Sequence, residues 1–282
     1  MTVDSHQHFW QVGRFEYPWM TPEVGALCHD FLPEQLEPIL LRHGVQQTIV
    51  VQASNTVEET LWLLSLANQN PFIAGVVGWV DLQSDDVSDQ LHEFAGNPKF
   101  KGVRHLVESE PADDWLAQPR VIQGLRELSS CGLSYDLLVH TRHLRYAKTA
   151  LEECPELRVV IDHLAKPPIA HGGISEWAQE LKPFASMTNA WCKLSGLVTE
   201  ASWSNWRVED FIPCVEIALE YFGPQRMMFG SDWPVCLLAA SYAQVLDTVQ
   251  TLLRDLSDDD RDLIFYKNAA EFYRIEEAGI RA

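Results

Sequence analysis

A chain of 282 residues is long for an ordinary domain, yet barrels of about 200 to 250 residues fold as single units, so one large domain is allowed. Hydrophobic residues at 46% and charged residues at 22% are ordinary globular usage, which excludes a disordered chain, a fibrous repeat and a bare coiled coil. The 40 acidic against 21 basic residues give a formal charge of -19 that repels phosphate backbones and anionic lipid heads, so neither nucleic acid nor a membrane is an expected partner. Met1 to His6 show no basic or apolar leader, and no stretch nears the ~20 apolar residues of a span, so a cytoplasmic protein is expected. The six cysteines form no CxxC pair, which leaves them as buried small hydrophobes.

Taken in chain order, short apolar runs alternate with helical patterns. A strand is predicted over 3–8, then a helix over 34–43 with Pro33 in its first turn and Gly44 as terminator. A strand over 48–53 precedes a helix opened by Thr56-Val57-Glu58-Glu59, which has capping-box form. A strand over 73–80 is followed by a helix that starts after Ser84 and repeats Val87, Leu91 and Phe94 at helical spacing. Further strands are predicted over 101–106, 133–139, 158–162, 190–194 and 226–230, with helices over 121–130, 144–153, 212–222 and 241–256. Repeated strand–helix alternation implies parallel strands with crossover helices. No GxGxxG or GxxxxGK[ST] follows an early strand, and eight strands in one run match a closed barrel, so the expectation is α/β: a single (β/α)8 TIM barrel, one domain over 1–282. The aromatic segment 11–30 is too long for a tight turn and is expected as a loop over the C-terminal face.

Reactive groups in such a barrel stand at strand C-terminal ends. His6 and His8, two apart on strand one, point the same way and form a two-ligand edge for a divalent metal. Strand six ends in Asp162-His163 and continues to Lys166, and strand eight delivers Asp232 just past Gly230. His140 at the tip of strand five is a third nitrogen ligand or a substrate contact, while Asp136, mid-strand, needs a partner and is read as a supporting group. Arg104 at the end of strand four has the fork to hold a carboxylate, carbonyl or hydroxyl. Gln52 on strand two and Trp79, with Asp81, on strand three are read as sugar-facing groups.

The strings VDSHQHFW (3–10), KGVRH (101–105), YDLLV (135–139), VIDHLAKPP (160–168), CKLSGL (192–197), MFGSDWPV (228–235) and NAAEFYRI (268–275) resemble the amidohydrolase superfamily over essentially the whole chain. Within it the chain is similar to the amidohydrolase-2-type sugar-acid lactonases that open aldonolactones such as L-fuconolactone and L-rhamnonolactone, related to 2-pyrone-4,6-dicarboxylate lactonase. The resemblance implies a small-molecule sugar lactone as substrate and a reacting centre of His6, His8, His163 and Asp232. One divalent metal, zinc foremost, held by those four residues is implied, or catalysis without a metal. Strand four ends in Arg104-His105 instead of the lysine or glutamate of the binuclear members, which argues against a bridged metal pair. On this reading Asp232 is the general base and acid, and His6, His8 and His163 polarise the carbonyl. Arg104, Gln52, His140, Lys166, Trp79 and the aromatics Trp10, Tyr17 and Trp19 bind the substrate. The alternatives are a metal-dependent non-oxidative decarboxylase of the same superfamily, with His140 as ligand, or an inactive sugar-acid-binding protein.

Overall fold

The computed structural model describes residues 1–275; residues 276–282, the end of the expected domain span, lie outside the described residues. Its eight strands pair in chain order, all parallel: β1 (Val3–Gln7), β2 (Gln47–Val51), β3 (Ile73–Gly78), β4 (Phe100–Leu106), β5 (Ser134–Leu138), β6 (Arg158–Ile161), β7 (Ala190–Leu194) and β8 (Met227–Phe229). Their residues are buried almost without interruption, as expected where helices cover one face and the barrel interior covers the other. The sheet closes at the ends of β1 and β8, where His8 N donates to Trp233 O at 2.7 Å and Asp232 N donates to His6 O at 2.8 Å.

The outer layer carries α1 (Pro33–His43), α2 (Val57–Gln69), α3 (Val87–Ala95), α4 (Pro119–Ser130), α5 (Leu144–Glu152), α6 (Ile174–Leu181), α7 (Leu197–Glu200), α8 (Ile212–Phe222) and α9 (Tyr242–Leu252), then α10 (Asp258–Asp262) and α11 (Asn268–Phe272). α1 ends at Gly44, which takes the left-handed φ of 67° that a residue without Cβ adopts at no steric cost. Thr56 caps α2 by accepting from Glu59 N at 3.2 Å. The expected helix over 241–256 stops early, as α9 ends at Leu252, and α10 starts beyond that span, where Ser257 caps it by accepting from Asp260 N. α6 was not predicted, since Gly172-Gly173 ahead of it reads as loop. Two cysteines depart from the expected burial: Cys28 is exposed and Cys131 half-buried. No helix among the described residues is long and apolar enough to cross a membrane.

A large apolar core fills the space between sheet and helices, and a smaller one of Val3, Ile49, Val77, Val160 and Met228 plugs the barrel floor against Phe272 and Tyr273. Above that plug the interior turns polar. At the mouth, Glu59 of α2 is fully buried and its Oε2 accepts from Ala53 N at 2.9 Å and Ser54 N at 2.8 Å, fixing the turn that leaves β2. Burial pushes its carboxyl up from 4.5 to about 7, against the lowering effect of those two N–H groups. A carboxyl raised in the folded state contributes stability below its unfolded value, and that contribution is lost as pH rises through the folded one. Glu59 is therefore expected to lower thermal stability as pH rises from 4.5 to 7, and Glu59→Gln is expected to remove that part of the wild-type slope. An unchanged slope in the variant would assign it elsewhere.

Candidate active site

β1 turns His6 toward the barrel interior and leads His8 to the mouth, while Asp4 reaches outward to Tyr242 of α9; a register shift against β2 falls between Asp4 and Gln7. Asp4 ties this end of the barrel together: its Oδ1 accepts from Ser231 N at 2.8 Å and from His6 N at 3.2 Å, and its Oδ2 from Tyr242 OH at 3.1 Å. His8 Nδ1 donates to the Val51 carbonyl at 2.7 Å, because a carbonyl can only accept, so His8 Nε2 presents a lone pair to the mouth. His6 Nε2 lies 3.2 Å from His8 Nε2.

His163 follows β6 on an uncommon backbone. His163, Leu164, Ala165 and Lys166 all take left-handed φ values, between 52° and 58°, where none of them is glycine. Each such residue costs roughly 1–2 kcal/mol. The turn is held by its surroundings: Leu164 and Ala165 are buried, Trp177 Nε1 donates to Leu164 O at 2.7 Å, and Lys166 N donates to His163 O at 2.8 Å. His163 Nδ1 meets Ser195 Oγ at 2.8 Å. Gly196 makes room for that ring, since a Cβ there would stand 2.5 Å from His163 Nδ1. β8 then delivers Asp232, itself at φ 57°, with Oδ1 3.4 Å from His8 Nε2, 3.8 Å from His6 Nε2 and 3.9 Å from His163 Nε2.

Electrostatics sort these groups. Burial pushes His6 well below the usual imidazole range, lowers His8, and brings His163 down to about 4, so all three rings are neutral at pH 7. Burial alone would raise Asp232, but His163, His8 and Arg104 outweigh it and hold the carboxyl below its ordinary value. Below His6 a charged group fills the barrel interior: Lys193 of β7, fully buried, pairs with Asp136 at 2.5 Å and with Asp162 Oδ1 at 3.1 Å. Arg104 Nη1 reaches Asp162 Oδ2 at 3.4 Å.

His6, His8 and Asp232 fit a divalent metal. Zinc ligands at about 2.0–2.1 Å in a tetrahedron lie roughly 3.3 Å from one another, close to the spacings found, and three protein ligands with an open fourth position is the catalytic pattern. His163 stands beside this set, nearest to Asp232.

The centre opens into a cavity of about 250 Å³ lined by His8, Trp10, Trp19, Arg104, Leu106, Glu108, Leu138, His163, Lys166, Thr199, Glu200, Trp203, Asp232 and Val235, among others. That is at the small end of ligand pockets and suits one sugar ring. A wider outer cavity of about 1100 Å³ shares Lys166, Thr199, Glu200 and Trp203 with it. Of the residues expected at the site, the structure brings together His6, His8, His163 and Asp232, with Arg104 and Lys166 in the inner wall. Gln52 is instead sealed under the mouth, where its backbone and side-chain oxygens hold Arg104 Nη2. Trp79 turns sideways and donates to His105 Nδ1 at 3.0 Å. Neither is among the residues that line the inner cavity. His140 lines the outer cavity, its Nε2 3.2 Å from Glu108, and is thus a rim group and no third nitrogen at the centre. Trp10 and Trp19 reach the inner wall, whereas the buried Tyr17 does not.

Glu108, Glu200, Trp203, Ser195 and Lys193 escaped the sequence reading. Only Lys193 carried a signal, a lone lysine inside an apolar strand.

A parallel barrel whose mouth gathers imidazoles from β1 and the turn after β6 against a carboxylate after β8 defines a hydrolase-type, metal-capable barrel. The sequence profile of the amidohydrolase family matches residues 3–275, and the chain belongs to that family. It is 40% identical over 280 residues to an L-fucono-1,5-lactonase of Burkholderia ambifaria, covering 97% of this chain and 96% of the relative. An L-fucono-1,5-lactonase of Burkholderia multivorans is 37% identical, with 98% of this chain and 97% of the relative covered. An amidohydrolase of Burkholderia multivorans crystallised with bound zinc superposes with a TM-score of 0.94 at 36% identity, over 98% of this chain and 100% of that one.

Gly196→Ala adds a Cβ against His163 at a left-handed φ of 64°. Displacing a reacting group by about 1 Å costs on the order of 100-fold. The variant is expected to fold by circular dichroism and to lose turnover by about that factor; full turnover would show that His163 need not be held there.

Proposed function

We propose that this protein hydrolyses a sugar-acid lactone, an aldonolactone of a single sugar such as L-fucono- or L-rhamnonolactone, by attack of water on the ring ester. The carrying observation is the convergence of three neutral imidazoles and one ionised carboxylate on a cavity sized for one ring. The relatives named as lactonases support the same reading.

Lactone opening needs a base for water, polarisation of the carbonyl, and a proton for the departing ring oxygen. Asp232, held ionised, takes the water proton and returns it to the leaving oxygen. The Ser195 hydroxyl can donate to His163 Nδ1, which leaves Nε2–H of His163 to bond the carbonyl oxygen as charge develops. Arg104 adds a fixed positive charge to the same wall. Held by His6, His8 and Asp232, a zinc ion would supply Lewis-acid polarisation and a more acidic water. Trp10, Trp19 and Trp203 offer apolar faces to the ring, while the Lys166–Glu108 pair and Glu200 face its hydroxyls.

Three measurements test this. A panel of aldono-1,4- and 1,5-lactones, followed by proton release with and without chelator, is expected to reveal turnover of a small set of sugars; silence across the panel would overturn the reading. Asp232→Asn is expected to cut kcat on the order of 10²–10⁴-fold with the fold intact. Because Asp232 is held below its ordinary value and His163 protonates only near 4, kcat/KM should stay level through neutral pH and fall only below about pH 4. A rise of kcat/KM centred near pH 6 to 7 would assign the base elsewhere.

A further inference from the structure

Trp19 and Ala53 both line the inner cavity, and they come from different parts of the chain. Trp19 belongs to the segment between β1 and α1, and Ala53 to the turn between β2 and α2. Two hydrogen bonds join that segment to that turn. Trp19 Nε1 donates to Ala53 O at 2.7 Å, and Ser54 Oγ donates to Glu16 O at 2.8 Å. Both anchors are in turn held from behind by one buried carboxyl, since Glu59 Oε2 accepts from Ala53 N at 2.9 Å and from Ser54 N at 2.8 Å.

Glu59 has little freedom of its own. It stands in the first turn of α2, where Thr56 Oγ1 accepts from its N–H at 3.2 Å, and it is fully shielded from solvent. Position is thus handed from helix to carboxyl, from carboxyl to turn, and from turn to indole. The Trp19 ring also meets those of Trp10 at 5.0 Å and Tyr17 at 6.0 Å. Such packing leaves an indole free to slide in its own plane, and the bond at Nε1 fixes where its edge points. The other carboxyl oxygen of Glu59, Oε1, accepts no hydrogen bond among the described residues. A glutamine here keeps both backbone N–H bonds by presenting its carbonyl where Oε2 stands, whereas alanine keeps neither and aspartate falls short by one methylene.

We propose that Glu59 is a positioning residue for substrate binding: through Ala53 and Ser54 it sets the place of Trp19 against the bound sugar ring, without lining the cavity itself. An aromatic wall meets the ring alike in the ground and transition states, so a misplaced Trp19 raises KM and leaves kcat. This rests on the lactone reaction proposed above for its substrate, but the link from Glu59 to Trp19 is measured without any substrate.

Hydrogen exchange on the full-length protein reads the link directly, because Met20 N and Thr21 N are bonded within the segment, to Tyr17 O and Trp19 O. In Glu59→Ala, and in the milder Glu59→Asp, these two amides should exchange about tenfold faster, the size that loss of one net hydrogen bond allows, while β5 exchanges as before. Glu59→Gln should match the wild type. On a lactone that the protein turns over, Glu59→Ala should raise KM about tenfold with kcat within about threefold, and Glu59→Gln should keep the wild-type KM. In a Trp19→Ala background the same Glu59→Ala change should alter KM less than about twofold, since the ring it places is gone. A general weakening of the fold would instead speed exchange in β5 as well and act on KM equally in both backgrounds. Wild-type exchange of Met20 and Thr21 in Glu59→Ala, a KM effect undiminished in the Trp19→Ala background, or failure of both Glu59→Ala and Glu59→Asp to fold would overturn the proposal. Silence on every lactone would remove the proposed reaction alone, since the exchange of Met20 and Thr21 would still decide whether Glu59 places Trp19.

Discussion

Closure of the barrel between β1 and β8 is the constraint on which the site depends. Other neighbouring strands share several ladder pairs, yet this seam relies on a single isolated pairing, Gln7 with Trp233, and on the two backbone hydrogen bonds beside it. Asp4 makes up the difference by gathering Ser231 N, His6 N and Tyr242 OH on one buried carboxyl. Burial pushes that carboxyl up to about 6, the cost of using a charge as a clasp in a dry interior. The residues joined by the seam belong to the candidate site: His6 and His8 on one side, Asp232 on the other. Gly230 lets the two chains approach, since a Cβ there would fall 2.7 Å from His6 Cβ.

Charge is distributed with the same economy. A chain of net charge -19 keeps Lys193 and Arg104 in its interior, against Asp136 and Asp162. Removing one member of such a set leaves an unpaired buried charge, which is far costlier than never having buried the pair. Asp162 is held well below its ordinary range: Lys193, His6 and Arg104 together overcome the penalty of burial. The outer wall repeats the pattern on a smaller scale, with Glu108 serving both Lys166 and His140.

The fold and the clustering of the candidate site were legible because both rest on periodicities. Alternation of strand and helix gave the barrel, and strand ends gave His6, His8, His163 and Asp232. Strand ends alone did not say which way a side chain leaves. Gln52 and Trp79 occupy such ends, but the first is consumed in holding Arg104 and the second bonds a neighbouring imidazole. Glu108, Glu200 and Trp203 come from segments after β4 and β7 whose course depends on tertiary packing, so no spacing rule reaches them. Lys193 was visible as a charge in an apolar strand, but its meaning required the three partners that β1, β5 and β6 bring to it. The left-handed path of 163–166 has no compositional cue at all, as it contains no glycine.

That left-handed turn has a consequence for how this site can change over evolutionary time. Four successive residues outside their preferred backbone region leave little slack: a substitution that loosens Trp177 or Ser195 releases the turn and the imidazole with it. Changes of substrate preference are therefore expected at the cavity wall away from that turn, where Trp203 is 41% exposed and the segment 11–30 contributes Trp19. The barrel thus separates an inheritable chemical step from a replaceable recognition surface.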